Sequence, residues 1–116
     1  MSPLKGQYDV SIVIPHHRGF LHLQKCLESV VQQGGYREIL LVDDASTDGS
    51  SSEAKKIFPE IQILRNQRNS GFSGSVDRGV REAKSRFAVI LNDDVEVQEG
   101  GLPPLIDTLE PDSSIA

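Results

Sequence analysis

Two short acidic runs are the first candidates for chemistry in this sequence: Asp43-Asp44, which follows the apolar stretch Ile39-Leu40-Leu41-Val42, and Asn92-Asp93-Asp94, which follows Val89-Ile90-Leu91. Carboxylates brought together raise each other's pKa and cost stability unless a cation or hydrogen-bond donors offset the repulsion. A divalent ion held by hard oxygen ligands supplies such an offset. Each run also has a purely structural reading. The stretch Asp43-Asp44-Ala45-Ser46-Thr47-Asp48 is rich in acceptors that cap a helix start, and Asn92-Asp93-Asp94 serves equally as a polar turn. His16 and His17 are adjacent, so on an extended segment their side chains point to opposite sides, which reads as a solvated loop rather than a zinc fragment. Gly71-Phe72-Ser73-Gly74 at a helix start can approach a phosphate through bare N–H groups, or can be no more than a glycine turn. Cys26 reads as a small buried apolar residue, with nothing nearby to activate a thiolate.

The elements that must position these groups alternate between short β-branched runs and longer helical patterns, as in a parallel sheet with crossover helices. Four nearly continuous apolar runs, Val10–Ile14, Glu38–Val42, Ile61–Arg65 and Phe87–Leu91, suit strands covered on both faces. Between the first two, Leu21, Leu23, Leu27, Val30 and Val31 recur at helical spacing and Gly34-Gly35 give a stop. A second helix is expected from Ser51 to Phe58, closed by Pro59, and a third from the Asn69-Ser70-Gly71 turn to Lys84, with Phe72, Val76, Val80 and Ala83 facing inward. Leu105, Ile106 and Leu109 suggest one further short helix. In such a sheet ligands bind outside the carboxyl ends of the strands. Four segments therefore belong to one edge: Pro15-His16-His17-Arg18, Asp43-Asp44-Ala45-Ser46, residues 66–71 and Asn92-Asp93-Asp94.

Composition narrows the function classes. The 116 residues carry 12 Lys and Arg against 17 Asp and Glu, a net charge of −5 with no basic run, which argues against nucleic-acid binding through the phosphate backbone. No apolar stretch approaches the roughly 20 residues that a transmembrane helix needs. The single cysteine excludes an intrachain disulfide and fits a reducing cytoplasmic setting. One domain spanning 1–116 is expected, and Ile115-Ala116, following the turn residues Glu110-Pro111-Asp112, read as the opening of another strand, as though the chain were the truncated front part of a longer protein.

The joint order of motifs is more specific than any one of them. Ser11-Ile12-Val13-Ile14-Pro15, Cys26-Leu27-Glu28-Ser29-Val30, the stretch from Glu38 to Ser50, the stretch from Asn69 to Gly79, and Leu91-Asn92-Asp93-Asp94 together resemble the nucleotide-binding half of family 2 glycosyltransferases. The resemblance implies an α/β fold of the GT-A (Rossmann-like) type, a mainly parallel sheet with helices on both faces. It also implies transfer of a sugar, with inversion, from a nucleotide-diphosphate donor (a UDP- or dTDP-sugar) to a hydroxyl of a saccharide or lipid-linked acceptor, assisted by Mn2+ or Mg2+. Carried over by position, it makes Asp44 the partner of the donor's base with Asp43 in support, lines the base pocket with Pro15, His16 and His17, brings Gly71 to the nucleotide, sets Asp93 at the ribose, and gives the metal to Asp94 with Asn92 as a second candidate. Asn92 stands where an Asp is common, His16-His17-Arg18 where Thr-Tyr-Asn is usual, and Asp77 where Asn is frequent, so aromatic packing on the base falls to His17. The family keeps its general base in the following half of the domain. The catalytic residue is thus expected beyond Ala116, and the chain alone is expected to bind donor without turning it over.

Two unrelated classes fit less well. A phosphoacceptor receiver also carries an acidic pair at a strand end, but after its first strand, and it needs an Asp after the third, where this chain has Arg65-Asn66. A dinucleotide-binding unit needs G-x-G-x-x-G after the first strand, where Pro15-His16-His17-Arg18-Gly19 stands. A non-catalytic binding or scaffold module of the same fold is the remaining alternative.

Overall fold

The structure is a computed structural model that describes residues 9–95. Strands and helices alternate: β1 (Val10–His16), α1 (Phe20–Gln33), β2 (Glu38–Asp44), α2 (Ser50–Ile57), β3 (Gln62–Asn66), α3 (Gly71–Glu82) and β4 (Phe87–Ile90). The four strands are parallel and ordered β3-β2-β1-β4. The chain steps outward from β1 to β3, then returns to the far side of β1. That is the start of the 3-2-1-4-5-6 Rossmann order, whereas a receiver places β1 between β2 and β3. The helix expected around Leu105, Ile106 and Leu109 and the strand start at Ile115-Ala116 lie outside the described residues. Among the described residues no helix is long and apolar enough to cross a membrane.

Burial on both faces explains the continuous apolar runs. Every position of β1 and of β2 is buried, and successive side chains alternate between the two layers. Ile12, Ile14, Ile39 and Leu41 face α1 and α2, where Leu23, Cys26, Leu27, Val30 and Ala54 complete the larger core. Val13, Leu40 and Val42 with Ala88 face α3. Each fully buried Leu, Ile or Val of this kind contributes roughly 1.5–3 kcal/mol. Helix α1 ends at Gly34, whose φ of 66° suits only glycine comfortably and whose N–H closes the last turn on the Val30 carbonyl. Leu21, counted in its apolar stripe, is exposed.

The inward face of α3 differs from the expected one. Ser75 and Gly79 are its buried residues, while Phe72 is 58% and Val80 47% exposed. The reason is close approach. A Cβ at Gly79 would lie 2.3 Å from Val13 Cγ1 and 3.2 Å from Val42 Cγ2, so the helix rests its small side on the sheet. Its apolar stripe is displaced toward β4, where Val76, Val80 and Ala83 line a groove with Phe87, Ala88 and Ile90.

Strands β1 and β2 run two residues further than their apolar runs, which carries His16, Asp43 and Asp44 in extended conformation to the carboxyl edge. Pairing of β1 with β2 continues to His16↔Asp43, but pairing with β4 stops at Val13↔Ile90. Pro15, which has no N–H to give a ladder, therefore falls where β1 has a neighbour on one side only. The two strands part there, at the point where the chain's direction of travel across the sheet reverses.

The Gly79 contact makes a firm prediction. Gly79→Ala should destabilise the fold by about 1–3 kcal/mol despite the better helix propensity of alanine, because the added methyl overpacks Val13. Val13→Ala in the same molecule should recover part of that loss in chemical denaturation. Additive losses in the double mutant would show that the contact is not the cause.

Candidate functional site

The parting of β1 and β4 opens a cavity of about 310 Å³ at the carboxyl edge. Pro15, His16, His17, Asp44, Gly71, Asn92, Asp93 and Asp94 line it, so eight of the nine residues singled out from the sequence converge, together with Phe72 and Ser75. Asp43 does not reach it. Strand alternation sends Asp43 and Asp44 to opposite faces.

Asp43, 0% exposed, holds the framework behind the cavity. Its Oδ1 accepts the Ser46 N–H at 2.9 Å, and its Oδ2 accepts the hydroxyls of Ser46 and Ser51 and the Arg65 guanidinium at 2.7 Å. Asp44 faces the other way. Its Oδ1 accepts the Ser70 N–H at 2.6 Å and the Asn66 amide at 2.9 Å, and its Oδ2 accepts the Gly71 N–H at 2.9 Å. A carboxylate offers about four lone-pair positions, so Asp44, which lines the cavity, retains one beyond these three donors. In both residues burial pushes the pKa up, but the donors win. The Ser51 and Ser46 bonds with the Arg65 charge hold Asp43 below the usual aspartate range, and the Ser70, Asn66 and Gly71 bonds with His17 hold Asp44 below it. Asn66 is itself fixed, sharing its amide with Ser75 Oγ at 3.0 Å and accepting from Arg78 at 3.0 Å.

The two histidines part as strand geometry requires, but His16 does not lie in a solvated loop. Its side chain is fully buried, with Nδ1 2.7 Å from Asp93 Oδ2 and Nε2 2.6 Å from Ser50 Oγ. Ser50 donates its hydroxyl hydrogen to Asp48 Oδ1 at 2.6 Å, so its oxygen accepts from His16 Nε2–H. His16 thus borders the cavity mainly as the support of Asp93. Asp48 also accepts the Gly19 N–H at 2.8 Å, and the Ser50 hydroxyl and these N–H donors hold its carboxyl far below the usual range. His17 is exposed, lines the cavity, and donates through Nδ1 to the Asp44 carbonyl at 2.8 Å.

Asp94 and Asn92 are exposed beside Asp93 on the cavity wall. Asp93 is engaged by His16 and, at 3.5 Å, by His22. Asp94 has no hydrogen bond or ion pair with the other described residues, so its oxygens are open to a hard divalent cation. Four residues of the site escaped sequence reasoning: His22, Ser50, Ser75 and Asp48 in its double role. Only His22 left a signal, since it lies in the first turn of a helix that starts at the ligand-binding edge.

The low pKa values of Asp43 and Asp44 predict an acid limb. A carboxyl depressed in the folded state contributes stability that is fully present above its unfolded value of about 3.9 and is lost as pH falls through the folded value. Denaturant-measured stability should owe no change to these groups from about pH 7 to 5 and should fall below about pH 4. Asp44→Asn should flatten that limb. An unchanged limb would remove Asp44 from the account.

Comparison with known proteins agrees with this architecture. The description "Glycosyl transferase family 2" matches residues 11–116. Among curated relatives, the cholesterol galactosyltransferase of Borreliella burgdorferi is 29% identical over 117 residues, covering 98% of this chain and 33% of its own length. The chain therefore spans about a third of that relative. Among solved structures, the mannosyltransferase PcManGT of Pyrobaculum calidifontis, in complex with GDP-Man and Mn2+, superposes with a TM-score of 0.78 at 18% identity, over 96% of this chain and 35% of that one. S. aureus TarS in complex with UDP-GlcNAc gives 0.76 at 18% identity, over 87% and 31%. With a GT-A architecture and a family match that runs from the first strand to the last residue, the chain belongs to glycosyl transferase family 2.

Proposed function

We propose that residues 1–116 are the donor-binding part of a GT-A glycosyltransferase domain, which holds a nucleotide-diphosphate sugar whose glycosyl group passes, with inversion, to a hydroxyl of a saccharide or lipid-linked acceptor on the cytoplasmic side. The observation that carries this reading is the cavity at the β1/β4 parting, into which residues from the ends of β1 and β2, the start of α3 and the segment after β4 converge. A cavity of this size lies at the lower end of the range for small-molecule sites. The names of the similar structures, with bound GDP-Man and Mn2+ or UDP-GlcNAc, support a nucleotide-sugar donor.

In this reading the remaining Asp44 acceptor position takes an N–H of the base, whose hydrogen-bonding edge a fixed, unprotonated carboxylate can discriminate. Pro15 and His17 border the base, with the exposed His17 ring as the group that stacks on it. Gly71 brings backbone close to the nucleotide without a side chain in the way. Asp93, held by His16, meets the ribose. Asp94, with Asn92, holds Mn2+ or Mg2+, and a divalent ion at the diphosphate stabilises the negative charge that builds on the leaving group. We assign no general base among the described residues. It must stand within about 3 Å of the acceptor hydroxyl, and we propose that it comes from chain outside them.

Calorimetric titration with UDP, dTDP and GDP, each with and without Mn2+, tests this reading. One nucleotide should bind, and more tightly with Mn2+. Asp94→Asn should weaken the Mn2+-dependent affinity by about tenfold or more and leave metal-free binding nearly unchanged. Equal losses in both conditions would take the metal from Asp94, and no binding of any nucleotide would favour the scaffold alternative.

A further inference from the structure

We infer that His16, His22 and Asp93 form a binding site for a first-row transition ion of the zinc class, in addition to the hard-cation position at Asp94. His16 Nδ1, His22 Nε2 and a carboxylate oxygen of Asp93 all lie within 4.8 Å of one another. They come from the end of β1, the first turn of α1 and the segment after β4, so no local sequence pattern joins them. Two imidazoles and one carboxylate are the donor set that zinc, cobalt or nickel takes in preference to magnesium or calcium.

The surroundings are those of a built site rather than a chance cluster. The Ser50 oxygen accepts from His16 Nε2–H, so Nδ1, which faces Asp93, is the atom left to bind an ion. Second partners of this kind orient metal-bound histidines. His22 is held by a different device. Gly19 has a φ of 97°, and a Cβ there would lie 2.2 Å from His22 Cε1 and 2.8 Å from its Nε2. The imidazole therefore lies over bare backbone, turned toward Asp93, and the N–H of that same Gly19 is anchored on Asp48. One carboxylate thus steadies both histidines, through Ser50 on one side and Gly19 on the other.

The spacing fits an ion with modest adjustment. Ligands about 2.0–2.1 Å from a tetrahedral centre stand roughly 3.3 Å apart. His22 Nε2 and Asp93 Oδ2 are already at 3.5 Å, whereas His16 Nδ1 and Asp93 Oδ2, at 2.7 Å, must separate slightly. The ion replaces the proton shared between those two atoms, and that proton leaves to solvent. With His16 buried and the His22 and Asp93 side chains 46% and 22% exposed, the site is anchored on its inner side and open on its outer side. Water completes a fourth position there.

Titration of the full chain with Zn2+ and, for its visible absorption bands, with Co2+ tests the assignment. One equivalent should bind, and about a hundredfold excess of Mg2+ should not displace it. His22→Ala, on an exposed helix surface, should weaken binding at least tenfold. Gly19→Ala should weaken it too, since the new methyl collides with the ring. His17→Ala and Asp94→Asn should leave it unchanged. Circular dichroism of each variant separates loss of a ligand from loss of the fold. Zinc binding that survives His22→Ala in a folded variant, binding lost with Asp94→Asn, or no stoichiometric binding would each overturn the inference.

Discussion

A carboxylate taken out of water must be surrounded by donors, and that requirement shapes the whole working edge of this molecule. An uncompensated buried charge costs several kcal/mol, so each aspartate at the edge recruits the loop beside it. Asp43 gathers Ser46, Ser51 and Arg65, which binds the turn after β2 to α2 and to the neighbouring strand. Asp44 gathers Asn66, Ser70 and Gly71, which folds the start of α3 over the end of β2. The relation is reciprocal, because N–H groups left unpaired by a lost carboxylate would each cost about 1–3 kcal/mol. Two adjacent residues on one strand thus divide the work, one closing the scaffold and the other opening onto the cavity.

Much of the sheet was legible because its central strands are covered on both faces; the expectation fails for β3, where Gln62 and Arg65 are exposed and Ile63 and Leu64 only half-buried, because β2 is its one partner among the described strands. All-round burial leaves continuous apolar runs in β1 and β2, and shorter runs of the same kind located β3 and β4 to within a residue at either end. The ends of β1 and β2 were misjudged for a physical reason: at His16, Asp43 and Asp44 the polarity changes while the backbone stays extended, so hydrophobicity ends two residues before the strand does. The third helix was misread for a related reason. A periodic stripe of Phe72, Val76, Val80 and Ala83 looks like a buried face, yet the face that meets the sheet is the one with Ser75 and Gly79, whose smallness permits the closer contact.

The site was legible as a place more than as a mechanism. Strand ends of a parallel sheet converge, so the residues near Pro15, Asp44, Gly71 and Asp94 could be grouped from order alone. From the residues alone, which aspartate of the first pair faces the cavity depends on strand parity, which is hidden until β2 is known to stay extended through Asp44; only the family resemblance singles out Asp44. The support behind the site had still less to announce it. Ser50 and Ser75 lie inside the stretches from Glu38 to Ser50 and from Asn69 to Gly79 with nothing to mark them out there, and His22 lies in no motif; their contacts, made across loops, depend on turns such as the one in which Gly19 takes a positive φ.

Asp48 lies on the surface, outside the cavity lining, and yet its two oxygens tie Gly19 before α1, 29 residues away from it in the chain, to Ser50 at the start of α2. Its partners are consequently not free to vary one at a time. In a lineage where Asp48 drifts to a residue that cannot accept both bonds, selection on Ser50 and on Gly19 relaxes or redirects together, and His22 loses the bare backbone that accommodates its ring. Correlated substitution among these four positions, rather than invariance of any one, is the evolutionary trace that such a shared anchor leaves.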